Sequence, residues 1–329
     1  MKDSVMIDRY LKGFAGLHSN KNRSRWTAAT KYRAPHKPLL LLSVIDLTSQ
    51  GRINTNFIEL NSDLCDLFII YWSRVMPPDL RSNIVLPFYH LTSDDFWKLV
   101  PKPGMENILS STRQLKSISQ LREIVLGAKL DEELYSLLCL EKTRNLLQTV
   151  LIENSFSPEL QTGLIEQGII NKEAFQYSQV LLEQSRKQQV KENIDIDKYV
   201  PAARDQGFRR VIVKVYDHRC AICGIRMLTP DGHTVVDAAH IMSWSITHND
   251  NIQNGMALCR LCHWTFDEGM IGVDSTYAVI ISRQLLSNHN IPSHIMTLEG
   301  RGIIGPAEKI LWPDMNNLHW HRMNKFRKL

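Results

Sequence analysis

Four of the six cysteines stand as two pairs, Cys220-x-x-Cys223 and Cys259-x-x-Cys262, with 35 residues between the pairs. Each pair can turn two thiolates toward one point, and two such knuckles close a tetrahedral sulfur shell of the kind that holds Zn²⁺. A fully ligated ion keeps no open position for water, so the spacing predicts a structural zinc. One C-x-x-C alone could be a redox pair; two in one chain argue for metal. In NGMALCRLCHW (254–264) a histidine follows directly on the last cysteine. Four thiolates already complete the shell, and the next side chain along points away from the cysteine before it. His263 is therefore free for a second site.

Upstream, VVDAAHIMSW (235–244) places Asp237 and His240 at the end of a β-branched run. Asn254 follows His240 after 14 residues, and His263 follows Asn254 after nine. Histidine, asparagine and histidine in that order, framed by four cysteines, resemble the HNH nucleases and their ββα-metal active site. The stretches that carry the resemblance are FRRVIVKVYDHRCAICG, VVDAAHI, NIQNGMALCRLCHWTFD and LHWHRMNKF, within about residues 200–325. In that family the third motif often holds two adjacent histidines. Here Cys262 occupies the first of those places, which leaves a catalytic ion fewer ready ligands.

The resemblance implies hydrolysis of a DNA phosphodiester with one divalent ion, Mg²⁺, Mn²⁺ or another. That reaction needs a nucleophilic water, a proton acceptor, and positive charge on the phosphate. An imidazole titrates near neutrality, which suits His240 as the general base. A divalent cation stabilises charge on the phosphate and the departing oxygen, and His263 is placed to hold it from the start of a helix. Asp237 is a candidate second ligand, and Asp267 a candidate partner for the ligand histidine. The family assigns the asparagine mainly to orientation, so Asn254 should brace the loop carrying His240.

The net charge of +5 is too small to imply a nucleic-acid partner by itself. Its distribution says more. No Asp or Glu lies between Arg9 and Ile45, where Lys12, Lys21, Arg23, Arg25, Lys31, Arg33 and Lys37 interleave with Trp26 and Tyr32. Cations among aromatics suit a phosphate backbone, although a solvated basic face would look the same.

YRAPHKPLLLLSVID and RSNIVLPFYHLTSDDFW resemble the sulfur-binding domain of restriction enzymes that attack phosphorothioate DNA, in which sulfur replaces one non-bridging phosphate oxygen. This resemblance spans about residues 1–155. Sulfur is larger and more polarizable than oxygen and a poorer hydrogen-bond acceptor. A reader should offer it an apolar dent and keep cations for the remaining oxygen. RAPH supplies Arg33, Ala34, Pro35 and His36, with Lys37 next; PFYH supplies Pro87, Phe88, Tyr89 and His90, with Arg81 upstream. The competing expectation is that Pro35 merely starts a helix and Phe88 fills the core.

Together the two halves predict a modification-dependent endonuclease that docks on phosphorothioate-containing double-stranded DNA and cuts nearby, restricting foreign DNA. One HNH site cuts one strand, so double-strand cleavage predicts a homodimer or two sequential nicks. Two rival readings stand beside this one: an HNH enzyme that senses methylated bases, and a zinc module that only binds DNA. The retained His240, Asn254 and His263 speak against the second, because binding does not require them.

These residues need elements to place them. At 329 residues, 43% hydrophobic and 22% charged, the chain has room for two cores. The expected class is α+β: a mostly α-helical reading domain over 1–155, a helical or polar linker over 156–200, and a zinc-stabilised ββα-metal domain over 201–329. MKDSVMIDRYLKGFAGL spaces Ile7, Tyr10, Leu11, Phe14 and Leu17 along one helical face, a folded helix and not a secretory signal. The cytoplasm, where thiols stay reduced, is the expected compartment. No apolar run approaches the roughly 20 residues of a spanning helix, so no membrane partner is expected.

KPLLLLSVIDLTSQG predicts a buried helix stopped at Gly51, and DLCDLFIIYWSRV a second helix capped by Asp63. SNIVLPFYHLTSDDFWKLV predicts short strands and a turn, and EQSRKQQVKENIDIDK a connector. Cys65 and Cys139 are expected as core thiols, Trp244 and Trp264 as core aromatics. His218, His233, His248, His289, His294, His319 and His321 are expected as satisfied core histidines.

Overall fold

An apolar stripe and an all-apolar run require different degrees of enclosure, and the first two helices show both. In the computed structural model, which describes residues 2–111, 117–187, 198–229, 233–286 and 293–327, the stripe lies on α1 (Lys2–Ala15), with Tyr10 and Phe14 buried. HKPLLLLSVIDLTS forms α2 (His36–Ser49), buried from His36 to Thr48. Such a helix has no face for water and becomes the axis of its unit. It packs against α3 (Ser62–Val75) and α4 (Val85–His90). Gly51, at φ +67°, turns the chain just past its end.

The chain divides into two compact units, Met1–Lys172 with Thr229–His233, and Glu173–Leu228 with Thr234–Leu329. In the first unit, β1 (Trp97–Pro101), the short helices α5 (Glu106–Ser111) and α6 (Ile118–Ile124), and β2 (Val125–Leu130) follow α4. The strands pair antiparallel, with Trp97 opposite Leu130. Next come α7 (Glu132–Cys139) and α8 (Glu141–Ser155). The region expected as linker is chiefly one 30-residue helix, α9 (Pro158–Lys187). The first unit holds it up to Lys172 and the second from Glu173. Residues 188–197, within the connector stretch, lie outside the described residues.

The second unit opens with α10 (Pro201–Val215) and then builds a ββα core: β3 (Val236–His240), the short α11 (Trp244–Thr247), β4 (Gly255–Cys259) and α12 (Arg260–Asp267). The antiparallel pair sets Val236 opposite Cys259 and His240 opposite Gly255. A hairpin of β5 (Ile271–Val273) and β6 (Val279–Ile281), short helices α13 (Arg283–Leu286) and α14 (Ser293–Met296), and α15 (Met315–Asn324) complete it. The class is α+β. Among the described residues no helix is long and apolar enough to cross a membrane.

Several local expectations are corrected. VLPFYH is helical, because Pro87 sits in the first turn of α4, where its missing N–H costs nothing; the strand begins only at Trp97. The cap of α3 is Asn61, whose side chain accepts from Leu64 N–H at 3.1 Å, while Asp63 pairs with Arg52 at 2.5 Å. Cys65 is buried but Cys139 is exposed. Trp264 is 56% exposed and Trp244 half-buried. Of the histidines expected inside, His321 is buried and His218 half-buried, whereas His233, His248, His294 and His319 are exposed; His289 lies outside the described residues.

Candidate functional sites

The two cysteine knuckles meet. Cys220 and Cys223 sit on a turn closed by Gly224 N–H donating to Cys220 O at 3.0 Å, with Gly224 at φ +77°. Ala221 N–H donates to Ala257 O at 2.8 Å, which ties that turn to β4. Cys259 ends β4 and Cys262 lies in the first turn of α12. The four sulfurs all lie within 4.8 Å of one another, and Cys223 Sγ is 3.7 Å from Cys259 Sγ. A tetrahedron with metal–sulfur bonds of about 2.3 Å has edges of about 3.8 Å, so the donors fit one structural metal ion. Among the described residues this is the one cluster of three or more His, Cys, Asp or Glu with that closeness, and His263 is outside it.

His263 faces elsewhere. One residue along α12 turns its side chain by about 100° from Cys262, into an open cleft also lined by His240, Asp267, Glu268, His321 and Lys325. His263 Nε2 lies 3.4 Å from Asp267 Oδ2, one helical turn on. Burial pushes the Asp267 carboxyl above its ordinary range, with His263 and Lys325 pulling the other way. An imidazole and a carboxylate at this spacing are donors that several divalent ions accept.

The His240 ring is held by two partners. Its ring stacks on Phe208 of α10 at 4.0 Å between centroids and 5° between planes. Gly255 makes that approach possible: a Cβ there would lie 2.5 Å from Ile212 and 2.8 Å from Phe208. Nε2 donates to Asp250 Oδ1 at 2.8 Å, and Asp250, nearly buried, also accepts from the Tyr177 hydroxyl at 2.8 Å. A carboxylate only accepts, so Nε2 carries the proton in the neutral ring and Nδ1 carries the lone pair. This is the orientation a proton acceptor needs.

Asn254 is fully buried. Its Oδ1 accepts from Met242 N–H at 3.0 Å, and its Nδ2 donates to Met242 O at 3.0 Å and Asn249 O at 2.9 Å. Ile241 N–H donates to its backbone oxygen at 2.8 Å. Both ends of the loop between His240 and Asp250 are thereby tied to one side chain.

Asp237 does not join the cleft. Side chains alternate along a strand, so Asp237 and His240 leave opposite faces of β3, and Asp237 pairs with Arg209 at 2.8 Å. The residues not foreseen are Asp250 and Tyr177, and His321, expected as a satisfied core histidine, also lines the cleft. His321 stacks on Phe266 at 3.7 Å and its Nε2 donates to Phe266 O at 2.9 Å. Burial lowers its pKa to about 4, so the ring is neutral near pH 7.

The first unit carries a hollow of its own. It is lined by His18, Ser19, Asn20, Arg25, Trp26, Ala34, His36, Lys37, Leu86, Pro87, His90 and Ser93. Five of the expected sulfur-pocket residues are therefore together: Ala34, His36, Lys37, Pro87 and His90. Five are not. Phe88 is fully buried, edge-on to Trp97 at 5.3 Å, because helical α4 turns it inward. Pro35 is buried at the N-cap of α2, and Tyr89, Arg33 and Arg81 do not line the hollow. Arg25 and Trp26, whose one signal in the sequence is the basic run, do; the guanidinium lies 4.9 Å over the indole.

Residues 220–274 match a family described as HNH endonuclease, and residues 17–171 one described as ScoMcrA-like, DNA sulfur-binding domain. None of the curated proteins matches the chain. One similar solved structure is a "Modification dependent TagI restriction endonuclease", 22% identical with a TM-score of 0.27; the match covers 35% of this chain and 36% of that one. The chain thus spans about a third of that protein's length. It joins a DNA sulfur-binding domain of the ScoMcrA-like kind to an HNH endonuclease domain.

Proposed function

We propose that the chain is a modification-dependent DNA endonuclease: a reading domain over 1–155 engages a phosphorothioate linkage in double-stranded DNA, a connector follows over 156–200, and the 201–329 domain hydrolyses a nearby phosphodiester. The observation that carries this reading is that His240 and His263 line one cleft while the thiol cluster stands apart from it. His240 Nδ1 takes the proton of the attacking water; Asp250 holds the ring and shares the resulting charge; Asn254 braces the loop. His263 and Asp267 would hold a divalent ion, Mg²⁺, Mn²⁺ or another, which when bound supplies positive charge to the phosphate. The four cysteines would hold Zn²⁺. Biologically the activity is restriction of foreign DNA in the cytoplasm. Cleavage of both strands requires a homodimer or two successive nicks.

The test incubates two otherwise identical plasmids, one phosphorothioate-modified and one plain, across several divalent metals. Only the modified plasmid should be cut, and His240→Ala should abolish cutting while DNA affinity stays within about twofold. Equal cutting of both plasmids refutes the reading domain's role, and an active His240→Ala variant refutes the assigned base.

A further inference from the structure

The hollow of the reading domain holds less free charge than its residue types suggest. Lys37 lines it, yet its ammonium is buried and engaged: Nζ donates to Asp94 Oδ2 at 2.5 Å and to Ser93 Oγ at 2.8 Å. Asp94 is buried in turn. The His18 backbone N–H donates to its Oδ1 at 2.9 Å, and the His18 ring Nδ1 lies 3.1 Å from the same oxygen. Burial lowers His36 to about 4 and also lowers His90, so both imidazoles are mainly neutral near pH 7. Trp26, Ala34, Leu86 and Pro87 supply apolar wall. Arg25, exposed and stacked on Trp26, supplies a cation at the rim.

This balance bears on the choice between sulfur and oxygen. A phosphate oxygen is more strongly hydrated than sulfur and a better acceptor. Drawing it into a hollow whose one buried ammonium is already held by Asp94 removes water contacts that the neutral donors of the lining and the Arg25 guanidinium at the rim replace only in part. Sulfur loses less hydration and gains dispersion contact with the indole and pyrrolidine walls. Resting on the phosphorothioate reading above, we infer that Asp94 is a specificity-determining residue: by holding the Lys37 ammonium it withholds positive charge from the hollow, and so disfavours the ordinary oxygen linkage.

The experiment titrates the full chain, without added divalent ion, with two pools of duplexes randomised around one central linkage. One pool carries sulfur in both configurations and the other carries oxygen. Asp94→Asn should bind the oxygen pool about tenfold more tightly, the scale of one hydrogen bond to a charged group, with the sulfur pool changed by about twofold at most. Adding Lys37→Met to Asp94→Asn should restore the original ratio, since the freed ammonium is then gone. Leu86→Lys, which adds a cation and leaves the Lys37–Asp94 pair intact, should also relax the preference, and it decides the matter if Asp94→Asn does not fold. A folded Asp94→Asn variant with an unchanged sulfur-to-oxygen ratio overturns the inference, as does an unchanged ratio in Leu86→Lys. A wild type that binds both pools alike overturns the phosphorothioate reading and this inference together, whereas a wild-type preference that survives Asp94→Asn overturns the role of Asp94 alone.

Discussion

Asp250 carries the clearest expectation at the level of single side chains. Its carboxylate fixes which nitrogen of His240 holds the proton, and an amide in its place could present either a donor or an acceptor. Asp250→Asn should lower single-turnover cleavage by about 10²-fold or more, the range for losing a correctly oriented general base. Tyr177→Phe removes one hydrogen bond to that carboxylate and should cost about tenfold or less. DNA affinity measured alongside should not move; a parallel loss of affinity would show that the pair supports the fold and not the base. That His240 and His263 share a cleft, with Asn254 bracing the loop between, could be expected from the sequence because the proposed chemistry demands fixed residue types at short spacing within one segment. Asp250 was hidden inside the polar run Asn249, Asp250, Asn251, which looks like any loop. Tyr177 lies 73 residues before Asp250 in sequence and meets it only in the folded chain.

Secondary structure decides which of these side chains meet. If PFYH were a strand, Pro87 and Tyr89 would share one face and Phe88 and His90 the other. As a helix it gathers Leu86, Pro87 and His90, spaced at i, i+1 and i+4, and sends Phe88 to the core. Five of the ten residues expected at a sulfur pocket line the hollow; Phe88 was misplaced by the wrong period, whereas nothing in the period of PFYH bears on Arg33, Pro35 or Arg81. The buried character of α2, by contrast, was plain from its unbroken aliphatic run. At this scale the close approach of α10 to β4 is the sensitive joint. Gly255→Ala would force Phe208 and Ile212 outward, costing about 1–3 kcal/mol and unseating the ring that stacks on His240. The expected outcome is a lower thermal midpoint together with slower cutting; full activity at an unchanged midpoint would show that the joint yields freely.

For the molecule as a whole, two separate hydrophobic cores imply two separable stabilities, one running from Tyr10 to Leu164 and the other from Tyr177 to Leu318. A structural ion held by four thiolates contributes about 10–16 kcal/mol in small zinc modules, which is as large as the net stability of a typical domain. Removing it with a strong chelator, or replacing Cys259 with Ser, should abolish one unfolding transition and leave the other. Calorimetry on the full chain reads this directly, and a single transition lost entirely would show that the cores do not melt independently. Cys262 and His263 are neighbours that face different places, the thiol cluster and the cleft, only because a helix sets them a fixed angle apart. Length is therefore the one property this stretch cannot vary: a single residue inserted between them would swing the imidazole away from its cleft, however conservative its chemistry, whereas exposed positions on the same helix such as Leu261 are open to exchange.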